Sequence, residues 1–409
     1  MSEKPAGTAS TAAAPDPATE TLPSDLDQLL EEANDHLALQ MLLIEVASFN
    51  TQADFKLIAR AYHFAQEYHT GQTRKSGRPF IQHCVEVARI LAQLRLDATT
   101  VASGLLHDVL EDTDASLQEV ELAFGPKIAS LIDGVTKIDR FTFESREARQ
   151  VETYRTMLLS MVEDIRIILI KFADRLHNMR TLEFVGENTQ RRISRETLDI
   201  YAPLAHRFGL ARTRWELEDL SLKYLEPAAY ENIRDKVAMR RRERETYIEE
   251  FCAPIEEELS QNSIPAEITS RAKNFYSIFH KMQVRNKPFE EIYDLLAVRI
   301  IVDSVRECYH TLGLVHTIYH PIPDRIKDYI ATPKTNMYQS LHTSVIGPSG
   351  RPVEIQIRTL EMHNTAEIGI AAHWRYKSDN IPPSDLDGHI AWLRQVLDWQ
   401  RDATDPAAV

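Results

Sequence analysis

Four side chains able to bind a metal or move a proton stand close together in the stretch Leu105-Leu106-His107-Asp108-Val109-Leu110-Glu111-Asp112-Thr113. On one continuous helix, His107 and Glu111 are four apart and Asp108 and Glu111 three apart, so they share a face. Leu105, Leu106, Val109 and Leu110 can fill the other side. Alone, the stretch reads equally well as an exposed polar edge with local charge pairs, because short motifs recur by chance. Two distant pieces change the balance. His83 lies in the first turn of a helix that starts near Ile81, and Asp174 follows the apolar run Ile165-Arg166-Ile167-Ile168-Leu169-Ile170. Two imidazoles and two carboxylates suit a divalent transition ion of the Mn, Fe or Zn kind. Such an ion lowers the pKa of its water and polarises a phosphoryl oxygen. Glu111 and Asp112, one turn along, are where a base or water-orienting carboxylate is useful. The polar groups Asp174, Arg175, His177 and Asn178 follow a run apolar enough to be buried, so they need partners.

A second group of chemistry-bearing residues lies in the C-terminal part. On a strand, Arg271 and Lys273 face the same way, and on the helix that follows, Ser277 and Lys281 are one turn apart. This is a cradle for a polyphosphate, although a charge run alone more often marks a solvated face. Asp294 opens the apolar run Leu295–Val302, and Glu354 sits in Val353-Glu354-Ile355-Gln356-Ile357. Two carboxylates on sheet strands beside a basic cradle are what Mg²⁺-assisted phosphoryl transfer needs. Between them, Arg325-Ile326-Lys327-Asp328-Tyr329 through Pro333-Lys334, Asn336, Tyr338 and His342 combine cations for phosphates with aromatic rings for base stacking.

The elements that must position these residues differ between the two halves. Helical spacing marks Asp54–Tyr68, Ile81 onward, Thr99–Leu110, Leu117–Phe124, Lys127–Ile132, Glu152–Met161, Ile165–Leu182, Ser194–Phe208, Arg214–Tyr224 and Ala229–Leu259. After Gln261 strands appear: Ala266–Arg271, Leu295–Val302, and a hairpin of Ser340–Ile346 with Val353–Arg358 around Gly347-Pro348-Ser349-Gly350. Helices are expected over Asn274–Val284, Val305–Tyr319, Leu360–Tyr376 and Ile390–Arg401. The fold class is therefore multidomain, an all-α part followed by an α+β part. The expected division is a disordered leader over 1–25, an all-α domain with linking helices over 26–225, a connecting helix over 226–262, and an α+β domain over 263–409.

Composition bounds the function. The chain has 409 residues and a formal net charge of −14, which argues against non-specific binding of nucleic acid, since that relies on neutralising phosphates. No direct DNA binding is expected, and the local Lys/Arg clusters point to small anionic ligands. No apolar run approaches the ~18 residues of a membrane helix, and no secretory signal is visible at the N-terminus. Cys84, Cys252 and Cys308 are far apart and fit no zinc spacing, so a reducing, cytoplasmic setting is the expectation.

The motifs carry a resemblance. The order His, His-Asp, Asp in an all-α domain resembles the HD phosphohydrolase superfamily. Arg74-Lys75-Ser76-Gly77-x-Pro79-Phe80-x-x-His83, His107-Asp108-x-x-Glu111-Asp112-Thr113, Gly134-Val135-Thr136-Lys137 and Ala173-Asp174-Arg175-Leu176-His177-Asn178-Met179-Arg180 resemble the hydrolase domain of the RelA/SpoT homologues. Tyr293-Asp294-Leu295-Leu296-Ala297-Val298-Arg299 and the segment Arg325–Thr343 resemble that family's synthetase domain, which implies a nucleotidyltransferase-like fold with a mixed sheet. The resemblance covers roughly Leu26 to Gln400.

For the hydrolase it implies removal of the 3′-pyrophosphate of (p)ppGpp with Mn²⁺. His83, His107, Asp108 and Asp174 would hold the ion, and Glu111 and Asp112 would act on water. Arg74, Lys75 and Ser76 would meet phosphates, and Asn178 the nucleotide. For the synthetase it implies Mg²⁺-dependent transfer of pyrophosphate from ATP to the 3′-hydroxyl of GDP or GTP, leaving AMP. Asp294 and Glu354 would hold Mg²⁺, with Glu354 also a candidate base. Arg271, Lys273, Ser277 and Lys281 would form the ATP side. Arg325, Lys327, Lys334, Asn336, Tyr338 and His342 would form the acceptor side, with Tyr338 stacked on guanine. The family pattern has Gly where Ser270 and Asp324 stand. Full-length members continue into regulatory domains, so ribosome or tRNA association is expected only through parts beyond this chain. The competing expectations are a hydrolase whose synthetase-like part only senses nucleotides, and a ribosome-associated scaffold, against which the acidic charge weighs.

Overall fold

The computed structural model describes residues 24–33, 36–139, 164–239, 241–286, 288–289, 296–334 and 336–369. Residues 1–23 of the expected leader, the helices Glu152–Met161 and Ile390–Arg401, and Asp294 lie outside the described residues, while Ser24 and Asp25 already belong to a helix.

The N-terminal half is helical. Its elements are α1 (Ser24–Glu32), α2 (Leu37–Ala47), α3 (Phe55–Tyr68), α4 (Ile81–Gln93), α5 (Ala98–Leu106), α6 (Val109–Asp112), α7 (Leu117–Phe124), α8 (Pro126–Asp139), α9 (Ile165–Arg180), α10 (Glu187–Glu196), a π turn over Thr197–Tyr201, α11 (Ala202–Arg207) and α12 (Ala211–Leu225). Side-chain caps set several starts. Asp54, Asp97 and Asp164 accept from backbone amides of the turns they open, and Ser116 with Glu119 forms a capping box, each satisfying donors a helix leaves orphaned. One apolar core runs through these helices, from Leu26 through Val101 and Phe172 to Leu217. Helix α9 crosses it and packs on α4, α5, α8 and α12, which is why Ile165–Ala173 is buried almost without interruption.

The opening stretch is not one continuous helix. Helix α5 ends at Leu106, and α6 begins at Val109. The cause is local: His107 Nδ1 lies 2.8 Å from the Gly104 carbonyl, the acceptor that a continuing helix would offer to the Asp108 amide. The continuous helix expected from His107 to Glu111 is therefore interrupted by a two-residue turn, in which His107 and Asp108 keep right-handed backbone angles.

Helices α13 (Pro227–Met239) and α14 (Arg241–Gln261) lead to the C-terminal part: β1 (Ala266–Ala272), α15 (Phe275–Arg285), β2 (Leu296–Val302), α16 (Val305–Ile318), β3 (His320–Pro321), β4 (Lys327–Asp328), β5 (Leu341–Ile346), β6 (Pro352–Thr359) and α17 (Leu360–Ile368). The sheet order is β1-β2-β6-β5-β3, with β4 paired to β5. β2 and β6 are parallel and the other pairs antiparallel, so the sheet is mixed. One sheet face is apolar: Val298, Ile300, Val302, Ile355, Ile357, Leu341 and Val345 pack with α14 and α16. Because side chains alternate along a strand, the other face carries Arg299, Glu354, Gln356, Arg358 and His342. The fold class is thus a helical domain followed by an α+β domain with a mixed sheet.

Gly369 takes φ +56° directly after Ile368, a conformation that favours glycine, and so closes α17; residues 370–376 of the expected helix lie outside the described residues.

Candidate active sites on the helical domain and on the sheet

Helices α4, α5 and α9 bring the first constellation together. His83, His107 and Asp174 each offer a ligand atom, all within 4.8 Å of one another. Asp108 Oδ2 lies 3.3 Å from His83 Nε2 and 3.0 Å from His107 Nε2, and Asp174 Oδ1 lies 3.4 Å from His83 Nε2. Both imidazoles are buried. Each turns Nε2 inward because Nδ1 is engaged elsewhere: in His107 by the Gly104 carbonyl, in His83 by His177 Nδ1 at 2.6 Å.

The electrostatics follow from crowding two carboxylates around two buried rings. Burial opposes a charge on His107, but Asp108 and Asp174 hold its pKa up at about 10. Burial would raise Asp108 and Asp174, but His107 and His83 beside them hold both carboxyls far below the usual carboxylate range, with Lys171 adding to the effect on Asp174. The cluster concentrates negative charge that wants a cation. His107 Nε2 is buried 3.0 Å from Asp108 Oδ2 without a well-formed hydrogen bond between them, and electron-rich atoms held so close need a proton or a cation between them. With N and O donors only, the set fits a divalent metal ion.

The flanking residues are placed as follows. Arg74 donates to Asn178 at 2.5 Å, and Asn178 donates to Asp174 at 2.6 Å, so the basic turn and α9 are tied at the rim. Lys75 is exposed, and Ser76 is half-buried. Glu111 and Asp112 are exposed on α6. Partial burial, then Asp108, raises the Asp112 carboxyl. Gln72 holds this segment by donating to the Asp112 carbonyl at 2.7 Å while its own oxygen meets His69 at 2.8 Å.

Two partners of this cluster were given no role from sequence, although His177 was among the polar groups expected to need a partner. His177 is half-buried, and burial followed by the charge of His83 lowers its pKa to about 3; it therefore stays neutral and can accept from His83. Its spacing of three from Asp174 was a visible signal, but nothing in the sequence says that His83 comes across to meet it. Lys171 is buried with Nζ 3.6 Å from Asp174 Oδ2. Arg175 faces away, bound to Glu196 and Tyr201.

The second constellation centres on β5 and β6. Tyr338 Oη lies 2.7 Å from His342 Nε2, and His342 Nδ1 lies 3.4 Å from Glu354 Oε1. Gln356 donates to Glu354 at 3.2 Å. His342 first, then Gln356 and Lys273, hold the Glu354 carboxyl down at about 2 against its burial. Lys334 Nζ lies over the rings of Tyr329 and Tyr338, at 4.4 and 5.1 Å from their centres. Lys327 stands in register with His342. Arg325 is exposed in the preceding turn. There Asp324 takes φ +61°, which accounts for a Gly at that place in the family pattern; Asp tolerates the left-handed region better than most residues. Ser270 sits within β1, where no such need exists.

Other candidates sit on further elements. Asn336 donates to the His206 carbonyl at 3.3 Å, so its amide reaches the helical domain. Arg271 stands in backbone register with Ala297, which pairs with Glu354. Ser277 and Lys281 ride on α15, whose main packing partners are α12 and α13.

A buried His-Asp cluster in a helical domain, joined to a mixed sheet with one polar face, is the arrangement of an HD-type domain linked to a synthetase-type domain. An HD domain family model matches residues 61–211, and a model for a region found in RelA/SpoT proteins matches residues 270–381. The chain belongs to the RelA/SpoT family. It is similar to a probable guanosine-3′,5′-bis(diphosphate) 3′-pyrophosphohydrolase of Synechocystis, 51% identical over 367 residues, covering 88% of this chain and 48% of that protein. A Myxococcus xanthus GTP pyrophosphokinase is 47% identical over 364 residues (88% and 48%). A bifunctional (p)ppGpp synthase/hydrolase of Mycobacterium tuberculosis is 48% identical over 362 residues (87% and 49%). The chain spans about half the length of these relatives.

Proposed function

We propose that the chain is a bifunctional alarmone enzyme of the cytoplasm. It removes the 3′-pyrophosphate of (p)ppGpp in the helical domain and transfers pyrophosphate from ATP to GDP or GTP in the α+β domain. The observation that carries this reading is the convergence of His83, His107, Asp108 and Asp174 on one buried point. It is supported by relatives whose names cover both activities.

In the hydrolase, His83, His107, Asp108 and Asp174 would hold Mn²⁺. When bound, that ion supplies Lewis acidity and lowers the pKa of water. Arg74 and Lys75 meet the phosphates, and the Arg74–Asn178–Asp174 chain fixes the guanidinium beside the carboxylates. Glu111 and Asp112, exposed on α6, orient water and take its proton. The raised Asp112 carboxyl is better matched to that task than a fully solvated one.

In the synthetase, Glu354 would hold Mg²⁺ together with Asp294. Its carboxyl, held down by His342, is better suited to binding a cation and orienting the 3′-hydroxyl than to storing a proton. Arg271, Lys273, Ser277 and Lys281 would bind ATP. Arg325, Lys327, Lys334, Asn336, Tyr338 and His342 would bind the acceptor, with the Tyr338 ring as the stacking platform. For Tyr338 to stack on guanine, Lys334 must yield part of its place over that ring.

Running both reactions together would waste ATP, so the two sites oppose each other through the helices between Ile200 and Leu259. Hydrolysis is to be measured with a non-reacting ATP analogue and GDP bound; an unchanged rate removes the opposition. Glu354→Gln distinguishes synthesis from nucleotide sensing. If the unmodified chain makes no product from ATP and GDP while hydrolysis still responds to GDP, the α+β domain is a sensor.

A further inference from the structure

Helix α15 carries two of the residues read as the ATP side, Ser277 and Lys281, yet it is built onto the helical half of the molecule. Phe275, Ile278, Phe279 and Met282, spaced to share one face, pack with Ile233, Val237 and Phe289. Tyr230 of α13 meets Phe275 edge-on at 5.4 Å. Ser277 and Lys281 lie on a different flank of the same helix.

The start of α15 is unusual. Asn274 is its N-cap residue, but the Asn274 side chain makes no capping bond. It donates instead to Glu218 of α12, at 3.1 Å. The cap comes from the next residue of α12: Asp219 Oδ1 accepts from the Tyr276 amide at 2.8 Å and the Asp219 carboxylate also takes the Phe275 amide. The first two orphan donors of α15 are thus satisfied by a carboxylate from another domain. Glu218 is itself held by Arg214 at 2.7 Å, and Glu216, two residues earlier, grips Arg180 of α9 through two bonds at 2.5 and 2.8 Å. Helix α12 is therefore clamped to α9 at one side and to the start of α15 at the other.

We propose that Asp219 is a positioning residue for the pyrophosphate-donor site, fixing from α12 the start of α15 and with it the placement of Ser277 and Lys281. This rests on the reading of Lys273, Ser277 and Lys281 as the ATP side. A helix whose first turn loses its cap frays there, and Ser277 is the third residue of that turn. ATP binding is the step that suffers; the GDP side, on β5 and the 325–342 segment, is anchored elsewhere.

The test uses the full chain with Asp219→Ala and Asp219→Asn. Pyrophosphate transfer is measured with ATP and GDP each varied, alongside thermal unfolding and hydrogen exchange over residues 274–281. Asp219→Ala raises KM for ATP about tenfold, equivalent to about 1.4 kcal/mol, and leaves KM for GDP within about twofold. The Phe275 and Tyr276 amides exchange at least about tenfold faster. Asp219→Asn keeps an acceptor oxygen and restores ATP KM to within about threefold. A merely structural role lowers the melting temperature without separating ATP from GDP. If Asp219→Ala does not fold, Asp219→Ser, with an oxygen too short to span both amides, takes its place. An unchanged or lowered ATP KM in the folded variant overturns the proposal. Absence of transfer by the unmodified chain overturns instead the reading of the site, and unchanged amide exchange then disposes of the cap as well.

Discussion

Replacing His177 by Leu tests how the metal site is held. His83 presents Nε2 to Asp108 and Asp174 at 3.3 and 3.4 Å because its Nδ1 is bound by His177 at 2.6 Å. His83 is buried, so removing the acceptor leaves its Nδ1–H without a partner where water does not replace it. An orphaned buried donor costs about 1–3 kcal/mol, which is about 5- to 150-fold in affinity. Partners that orient metal-binding histidines are worth about 10- to 100-fold, and the two ranges agree. The assay is calorimetric titration of the metal-free chain with Mn²⁺, which does not depend on turnover. Leu fills the space of the ring, so packing is largely kept. Asn places an oxygen near the position of Nδ1, and His177→Asn is expected to recover most of the affinity. If His177→Leu binds Mn²⁺ as tightly as the unmodified chain, His177 does not orient His83 and the account of the tautomers fails.

Three further outcomes are expected. Glu354→Gln reduces pyrophosphate transfer by about 10²-fold or more and leaves (p)ppGpp hydrolysis measurable, as separate assays of AMP and pyrophosphate release will report. Burial pushes the Asp219 carboxyl up to about 6, so the folded chain holds this proton more tightly than the unfolded one. Its stabilising contribution is full below the unfolded value of about 3.9 and is lost as pH rises through the folded value. Urea unfolding is expected to show Asp219→Asn gaining on the unmodified chain above that range and matching it at low pH. Gly369→Ala brings a Cβ to 2.1 Å from the Phe208 carbonyl at a residue with φ +56°, which costs at least about 2 kcal/mol in strain and crowding. Its unfolding midpoint in urea is expected to fall, and a midpoint equal to that of the unmodified chain would show that Gly369 is not held against the Phe208–Gly209 backbone.

The residues of the His-Asp cluster were legible because each sits in its own short pattern, and the helices carrying them have strong apolar periodicity. The strands were legible for the same reason: Leu296–Val302 is rich in β-branched residues, and Gly347 to Gly350 announces a turn. What could not be read depends on contacts between distant segments. The break at His107-Asp108 arises because an imidazole takes the Gly104 carbonyl, and helical spacing alone predicts continuation. Asn274 looks like an ordinary N-cap, and only the arrival of Glu218 and Asp219 diverts its amide. The end of α17 depends on a positive φ at Gly369, a residue that many helices tolerate. At Asp324, where the family pattern has Gly, the backbone takes φ +61°, a left-handed turn that Asp tolerates better than most residues.

The most direct test of the central claim is product identification with the unmodified chain. One reaction contains ATP, GDP and Mg²⁺, and the other contains ppGpp and Mn²⁺. The account predicts ppGpp with one AMP per turnover in the first, and GDP with intact pyrophosphate in the second. Formation of ADP and phosphate, or release of single phosphates from ppGpp, would contradict it.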